Sequence, residues 1–258
     1  MKILHLHDCA GLAALYSHEL SKSGIKSKIL QYSPFDPFGF GRYYDNTSYF
    51  NHPNELLFRA EEIGRDTDWV ILHDCPEYLD IFKGINRAVF YHGTRLRNQF
   101  KDIRIDNEAD KIFLSCDDLV KYRPNATVLP KPIDTNLFKS DGSLKNQAQL
   151  MIQRDRDREI IEGYARTRFP NVLYRVRQHN LIPYEAMPNL LNQFGFYIDI
   201  QFDYSRPPNI IPNMSCTGLQ ALSCGLTVYD HKFDHYIGLP ASNYSSVAAQ
   251  IFLKELES

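Results

Sequence analysis

Three short polar clusters in this chain carry residue types able to do chemistry: His7-Asp8-Cys9, His73-Asp74-Cys75 and His92-Gly93-Thr94. Each follows a short apolar run of buried-strand type, at residues 1–6, 69–72 and 88–91. In open parallel sheets, ligands bind beyond the carboxyl ends of the strands. If these runs lie side by side, three histidines and two carboxylates converge on one cleft. Imidazole, carboxylate and thiolate all serve as metal ligands, and the same groups tie down neighbouring loops when no ligand is involved. His92 is the candidate for the reacting centre. Gly93 lets a ligand approach closely, and an imidazole can donate to or accept from a hydroxyl near neutral pH.

A second cluster lies at residues 213–228, NMSCTGLQALSCGLTV. Ser215, Thr217 and Gly218 read as a helix start, Leu219 and Leu222 as its buried face, Gly225 as its stop and residues 226–229 as a strand. A helix start with small side chains is a seat for phosphate, because its amides and positive dipole end favour an anion. The same sequence also suits a tightly packed helix–strand junction. The run Arg154-Asp-Arg-Asp-Arg158 follows a strand and opens a helix. Arg154 and Arg158 there offer forked donors matched to a diphosphate, or form a solvated helix end of alternating charge.

The elements that must position these groups follow from periodicity. Residues 1–6, a helix from Gly11 through Leu20 with a Gly24 stop, and a strand at 27–30 make a βαβ opening. Runs at 69–72, 88–91, 111–114 and 127–129 continue a mostly parallel sheet. The aromatic-rich stretch 32–50 reads as a rigid loop, either packed or gripping a ligand. The Pro130-Lys-Pro132 turn and the polar run 139–146 mark a linker, so the domains are expected at 1–138 and 139–258. The second contains strands at 149–153, 172–176, 195–200 and 226–229, and helices at 157–168, 184–193, 217–223 and 245–256.

Composition narrows the classes. The chain has 258 residues, 43% of them hydrophobic, enough for one large or two small cores. A net charge of −2 supplies no global basic field for a nucleic acid. No apolar run reaches the about 20 residues that span a bilayer, and the amino terminus opens a strand directly. These features predict a cytoplasmic protein, at most peripheral to a membrane. Five scattered cysteines without a Cys-x-x-Cys pair read as buried thiols, neither a disulfide framework nor a zinc site. No Gly-x-Gly-x-x-Gly follows the first strand, which argues against a dinucleotide.

The order of these features resembles the two-domain glycosyltransferases of the GT-B fold, particularly the large retaining family four. The resemblance rests on ILHLHDCAG at 3–11, VFYHGTRLR at 89–97, ADKIFLS at 109–115, VLPKPID at 128–134, IPYEAMPNLL at 182–191, YID at 197–199 and the 217–228 segment. It implies an α/β protein of two Rossmann-like domains with mostly parallel sheets facing across a cleft, the acceptor side first and a shortened donor side second. It implies a hexosyltransferase-type enzyme that takes a nucleotide-sugar co-substrate, with no other cofactor and no metal. It places Gly11 near the donor phosphates or sugar, His92 near the sugar, and Ser215, Thr217 and Gly218 near the diphosphate. Arg154 matches a basic position of the family; its lysine partner is absent, and Arg158 is the substitute. Two glutamates of the family, with seven residues between them, correspond to Pro212 and Gln220. Gln220 keeps a carbonyl acceptor for the ribose without the charge. That loss sets up the alternative of an inactive nucleotide- or carbohydrate-binding protein on the same scaffold. The acceptor, whether glycan, lipid-linked or protein, is left open, and a homo-oligomer is compatible.

Overall fold

The computed structural model describes residues 1–8, 10–143, 145–152, 158–167, 169, 172–176, 181–203 and 209–258. The chain divides into two compact units, residues 1–132 with 245–258, and residues 133–244.

Unit 1 is built on seven strands: β1 (Lys2–Leu6), β2 (Lys26–Tyr32), β3 (Thr47–Phe50), β4 (Trp69–His73), β5 (Asn86–Tyr91), β6 (Lys111–Leu114) and β7 (Thr127–Val128). All neighbours pair in parallel, in the order β3-β2-β1-β4-β5-β6-β7. This is a doubly wound sheet whose winding reverses between β1 and β4, the place where such sheets bind ligands. Buried strands of this kind need apolar side chains on both faces, which is why β4 reads Trp-Val-Ile-Leu-His and is buried throughout. Leu4, Leu6, Val70, Leu72 and Val89 face a core shared with Leu56 and Ala60 of the helix α3 (Pro53–Gly64). The opposite side chains face α1 (Leu12–Lys22) and α7 (Ser245–Glu257), where Tyr16 stacks on Phe252 with ring centroids 4.7 Å apart.

The expected loop at 32–50 contains more order than its composition suggests. A single 3-10 turn (Ser33–Phe35) leads to the short helix α2 (Phe40–Tyr44) and then to β3, which pairs with β2 as the edge strand. Asp36 organises it, accepting from the amides of Gly39, Phe40 and Gly41 and from the Tyr49 hydroxyl at 2.5–3.1 Å.

Unit 2 holds β8 (Ala148–Ile152), β9 (Val172–Val176), β10 (Phe196–Ile198), β13 (Thr227–Tyr229) and β14 (His235–Tyr236), in the order β14-β13-β10-β8-β9. All these pairs are parallel except β13 with β14. A separate antiparallel pair joins β11 (Gln201–Phe202) and β12 (Ile210–Ile211). Helices α4 (Arg158–Arg166), α5 (Met187–Leu191) and α6 (Cys216–Ser223) belong to the same unit.

The division differs from the expected boundary at 138/139 in two ways. Residues 133–138 go with unit 2, where the Ile133 amide donates to Asn243 and Phe138 is buried. Residues 245–258 go with unit 1, because Ala248, Ala249, Phe252 and Leu256 bury one stripe of α7 there. Ser245 also donates to Glu19 at 2.9 Å, and Lys111 donates to Ser258 Oγ at 2.8 Å.

Among the described residues, no helix is long and apolar enough to cross a membrane. Four cysteines are free thiols. Cys75, Cys116 and Cys224 are buried as expected, whereas Cys216 is half-buried at the start of α6; Cys9 lies outside the described residues.

Candidate functional site

The carboxyl ends of β1, β4 and β5 bring an unusual set of polar groups into the interior of unit 1. His5, Asp8, His73 and Asp74 are all buried to 4% exposure or less. A buried polar group costs free energy unless it finds a partner, and here the partners are largely one another. His5 Nδ1 lies 2.9 Å from His73 Nε2, and His73 Nδ1 lies 2.8 Å from His92 Nε2. Strand adjacency explains the row: β4 sits between β1 and β5, so its terminal histidine reaches one neighbour on each side. Asp74 Oδ1 accepts the His92 amide at 3.1 Å, and Arg95 donates to the Asp74 carbonyl at 2.6 Å.

Two of the turns that leave these strands are strained. His7 (φ 62°) and Asp74 (φ 54°) both occupy the left-handed region without being glycine. Such residues cost on the order of 1–3 kcal/mol and persist where the surroundings hold them, typically at functional sites. The His7 ring packs edge-on to Phe35 with centroids 5.1 Å apart, and it lies near enough to His73 to oppose its protonation. The histidines joined by hydrogen bonds are His5, His73 and His92, with His7 beside them. His5 was legible in principle, because a histidine in the middle of a buried central strand requires a partner.

Burial sets the proton affinities. It holds His5 and His92 down to about 3, with the Lys131 cation adding to the effect on His92. His7 falls to about 4 through burial and the nearby Arg95 cation. His73 lies well below its ordinary value through burial and its histidine neighbours. The row is therefore neutral at physiological pH. Burial raises the Asp8 carboxyl from 3.8 to about 7, opposed by backbone amides including that of Ala14, which donates to Asp8 Oδ2 at 2.8 Å.

Asp8, His73 and His92 each bring one ligand-capable atom to within 4.8 Å of the others. The imidazole geometry is nonetheless that of hydrogen bonds. Two imidazoles on one tetrahedral zinc place their nitrogens about 3.3 Å apart, given bonds of about 2.0–2.1 Å, which is wider than the 2.8 Å between His73 and His92.

The other expected donor-side residues have more occupied surroundings than a bare anion seat. Gly11 caps α1 at φ 76°, and the Phe40 ring stands where a Cβ on Gly11 would be. In unit 2, Ser215 Oγ accepts from the Gly218 amide at 2.9 Å as a helix cap. Asp199, at the end of β10, accepts from the Ser215 amide at 2.6 Å. The same carboxylate comes within 2.7 Å of where a Gly218 Cβ would lie, so only glycine fits there. Thr217 and Gln220 are buried at 5% and 7% exposure. Asp199, which the sequence offered only as the end of the YID run and without a role, places a carboxylate beside a helix start that reads as an anion site. Arg158 is exposed and pairs with Glu162 at 2.6 Å, one turn along α4. Arg154 lies outside the described residues.

No protein-family model matches this chain, and no curated protein matches it. Solved structures do resemble it. The glycosyltransferase SsfS6 from Streptomyces sp. SF2575 is 10% identical with a TM-score of 0.43, covering 98% of this chain and 86% of its own. The spinosyn forosaminyltransferase SpnP is 10% identical with a TM-score of 0.48, covering 100% and 95%. MurG of Acinetobacter baumannii is 10% identical with a TM-score of 0.43, covering 98% and 83%. At that identity and those scores, the likeness assigns no activity to this chain.

Proposed function

We propose that this chain is a hexosyltransferase-type glycosyltransferase that moves a sugar from a nucleotide-sugar donor to an acceptor, with retention and without a catalytic metal. The observation that carries the reading is the position of His92. It follows β5 next to the reversal point of a doubly wound sheet, among buried polar groups and strained turns, in the motif order by which the sequence resembles that family. A neutral His92 hydrogen-bonds a sugar oxygen without adding charge. In this reading Arg154, Arg158 and the start of α6 at Ser215, Thr217 and Gly218 stabilise the departing diphosphate. Gln220 serves the ribose, and Gly11 borders the donor.

A second reading has a specific observation in its favour. Pro212 and Gln220, standing at the family's acidic positions, suit a protein that binds a nucleotide or carbohydrate without transferring it.

The test is a thermal-shift and calorimetric screen of the full chain with nucleotide sugars and free nucleoside diphosphates, followed by turnover of any stabilising donor with candidate acceptors. Transfer that is abolished in His92→Ala supports the enzyme. Binding without hydrolysis or transfer supports the second reading. Undiminished diphosphate affinity in Arg154→Ala and Thr217→Val removes the phosphate assignment.

A further inference from the structure

The positive end of α6 already holds an anion, and the chain itself supplies it. No acidic residue lies in the first turn of this eight-residue helix, so the charge comes from another element. Asp199 follows β10 directly. Its amide donates to the Tyr229 carbonyl at 2.8 Å, continuing the pairing of β10 with β13 and fixing the backbone that carries the side chain. At 8% exposure, its Oδ2 accepts the Ser215 amide at 2.6 Å and stands 2.7 Å from where a Gly218 Cβ would lie. The chain serves the next donors of the turn as well: the Gly218 amide goes to Ser215 Oγ at 2.9 Å and the Leu219 amide to the Ser215 carbonyl at 3.1 Å.

A carboxylate and a phosphate are held at a helix start by the same two things, an N–H donor and the positive end of the dipole. Two anions on one set of donors repel, and a backbone amide has a single proton to give. A diphosphate entering here must therefore take the place of Asp199. Its measured affinity is the intrinsic one reduced by the fraction of molecules in which the carboxylate has left. A ligand can reach the place, because Met214, Ser215 and Cys216 are only half-buried. The start of α1 in unit 1 is the contrast. There Asp8 Oδ2 accepts the Ala14 amide at 2.8 Å and the Phe40 ring stands over Gly11, so a carboxylate and an aromatic ring close that start together.

We propose that Asp199 is a built-in competitor for the diphosphate of the ligand at the α6 start. It lowers the affinity for donor and nucleoside diphosphate alike, and it returns to the Ser215 amide when the diphosphate leaves. Asp199 sets affinity and takes no part in bond breaking. This inference rests on the phosphate assignment within the proposed function and is independent of transfer itself.

Isothermal titration calorimetry of the full chain at pH 7, with inorganic pyrophosphate and with UDP, measures the competition. Asp199→Asn keeps an oxygen to accept the Ser215 amide and removes the charge, so the α6 start stays paired. It is expected to bind both probes at least about tenfold more tightly than the unaltered protein, a modest share of what a like-charge contact costs. Asp199→Ala, which releases the Ser215 amide outright, is expected to gain at least as much. Asp203→Asn removes an equal charge from the end of β11, where the carboxylate bonds Asn209 at 2.9 and 3.1 Å. It is expected to change either affinity by no more than about twofold, as a more distant, screened charge does. Equal affinities in folded Asp199→Asn and the unaltered protein, no binding of either probe by Asp199→Asn, or an equal gain in Asp203→Asn overturns the proposal. Tighter binding in Asp199→Asn together with no transfer from any nucleotide sugar leaves the competitor standing and removes the glycosyl-transfer reading. Transfer by the unaltered protein with no gain in Asp199→Asn does the reverse.

Discussion

Acidification should destabilise unit 1 steeply above the pH at which ordinary carboxylates titrate, and the expected slope can be worked out. In the unfolded chain His5, His7 and His92 titrate near 6.5; in the folded unit they are held to about 3, 4 and 3. Their folded values lie below their unfolded values, so their contribution to stability is full above about pH 6.5 and is lost as pH falls. Between about pH 6 and 4 unfolding takes up three protons at these groups. Asp8 acts in the opposite sense: its folded value of about 7 lies above 3.8, so the folded form carries a proton that unfolding releases. The net uptake is two protons, a slope of about 2.7 kcal/mol per pH unit at about 1.36 kcal/mol per proton, with His73 adding in the same direction. Domains have only about 5–15 kcal/mol in total, so the about 5 kcal/mol lost over these two pH units equals the lower end of that range.

Trp69 is the single tryptophan and sits buried at the start of β4, the strand that ends in His73, so its fluorescence reports unit 1 selectively. Urea titrations at pH 7.0, 6.0 and 5.0 should show unfolding free energy falling by about 2–3 kcal/mol from pH 6 to 5. His5→Leu should reduce that slope by about 1.4 kcal/mol per pH unit, the contribution of one proton. A free energy constant to within about 0.5 kcal/mol from pH 7 to 5, well below the contribution of a single buried histidine, would refute the reasoning.

Three further substitutions probe the surroundings. Arg123 and Asp106 form a 2.5 Å pair at 2% and 1% exposure, with the Tyr91 hydroxyl also on Asp106; Arg123→Met should destabilise unit 1 by about 3–5 kcal/mol by leaving a buried carboxylate unpaired, and a loss under about 1 kcal/mol in urea would contradict that. Gly93 adopts φ 124°, and a Cβ there would strike the Arg97 guanidinium held by Asp118 at 2.6 and 2.8 Å. Gly93→Ala should cost on the order of 1–3 kcal/mol through backbone strain alone, checked by thermal melting, where an unchanged Tm counts against it. Ser215→Ala should lower protection of the Gly218 amide to hydrogen exchange and cost about 1 kcal/mol as a lost helix cap, and unchanged exchange would show that the cap is not needed.

The sheets were legible because buried parallel strands announce themselves as short apolar runs. The expected strands at 69–72, 88–91 and 111–114 overlie β4, β5 and β6, and those at 172–176 and 226–229 overlie β9 and β13. The edge strand β3 was not, because Thr-Ser-Tyr-Phe inside an aromatic stretch has neither the length nor the burial of its neighbours. The strand-end polar residues were visible, yet which of them meet was not. That depended on the left-handed turn at His7 and on His5 lying inside a strand, where hydropathy patterning treats it as an exception. The contact of Asp199 with the α6 start was not legible for a related reason. Its influence on the α6 start comes through a hydrogen bond across 16 positions, and no local spacing encodes it.

The return of α7 to unit 1 has a consequence for how the chain folds. Unit 1 is encoded in two separate stretches, and Phe252, which touches His5, Tyr16 and Phe113, is supplied from the far side of 112 intervening residues. During synthesis the intervening unit emerges whole while the earlier one still lacks a wall of its interior. The His5 end of the imidazole row thus lacks its Phe252 neighbour until α7 has been synthesised.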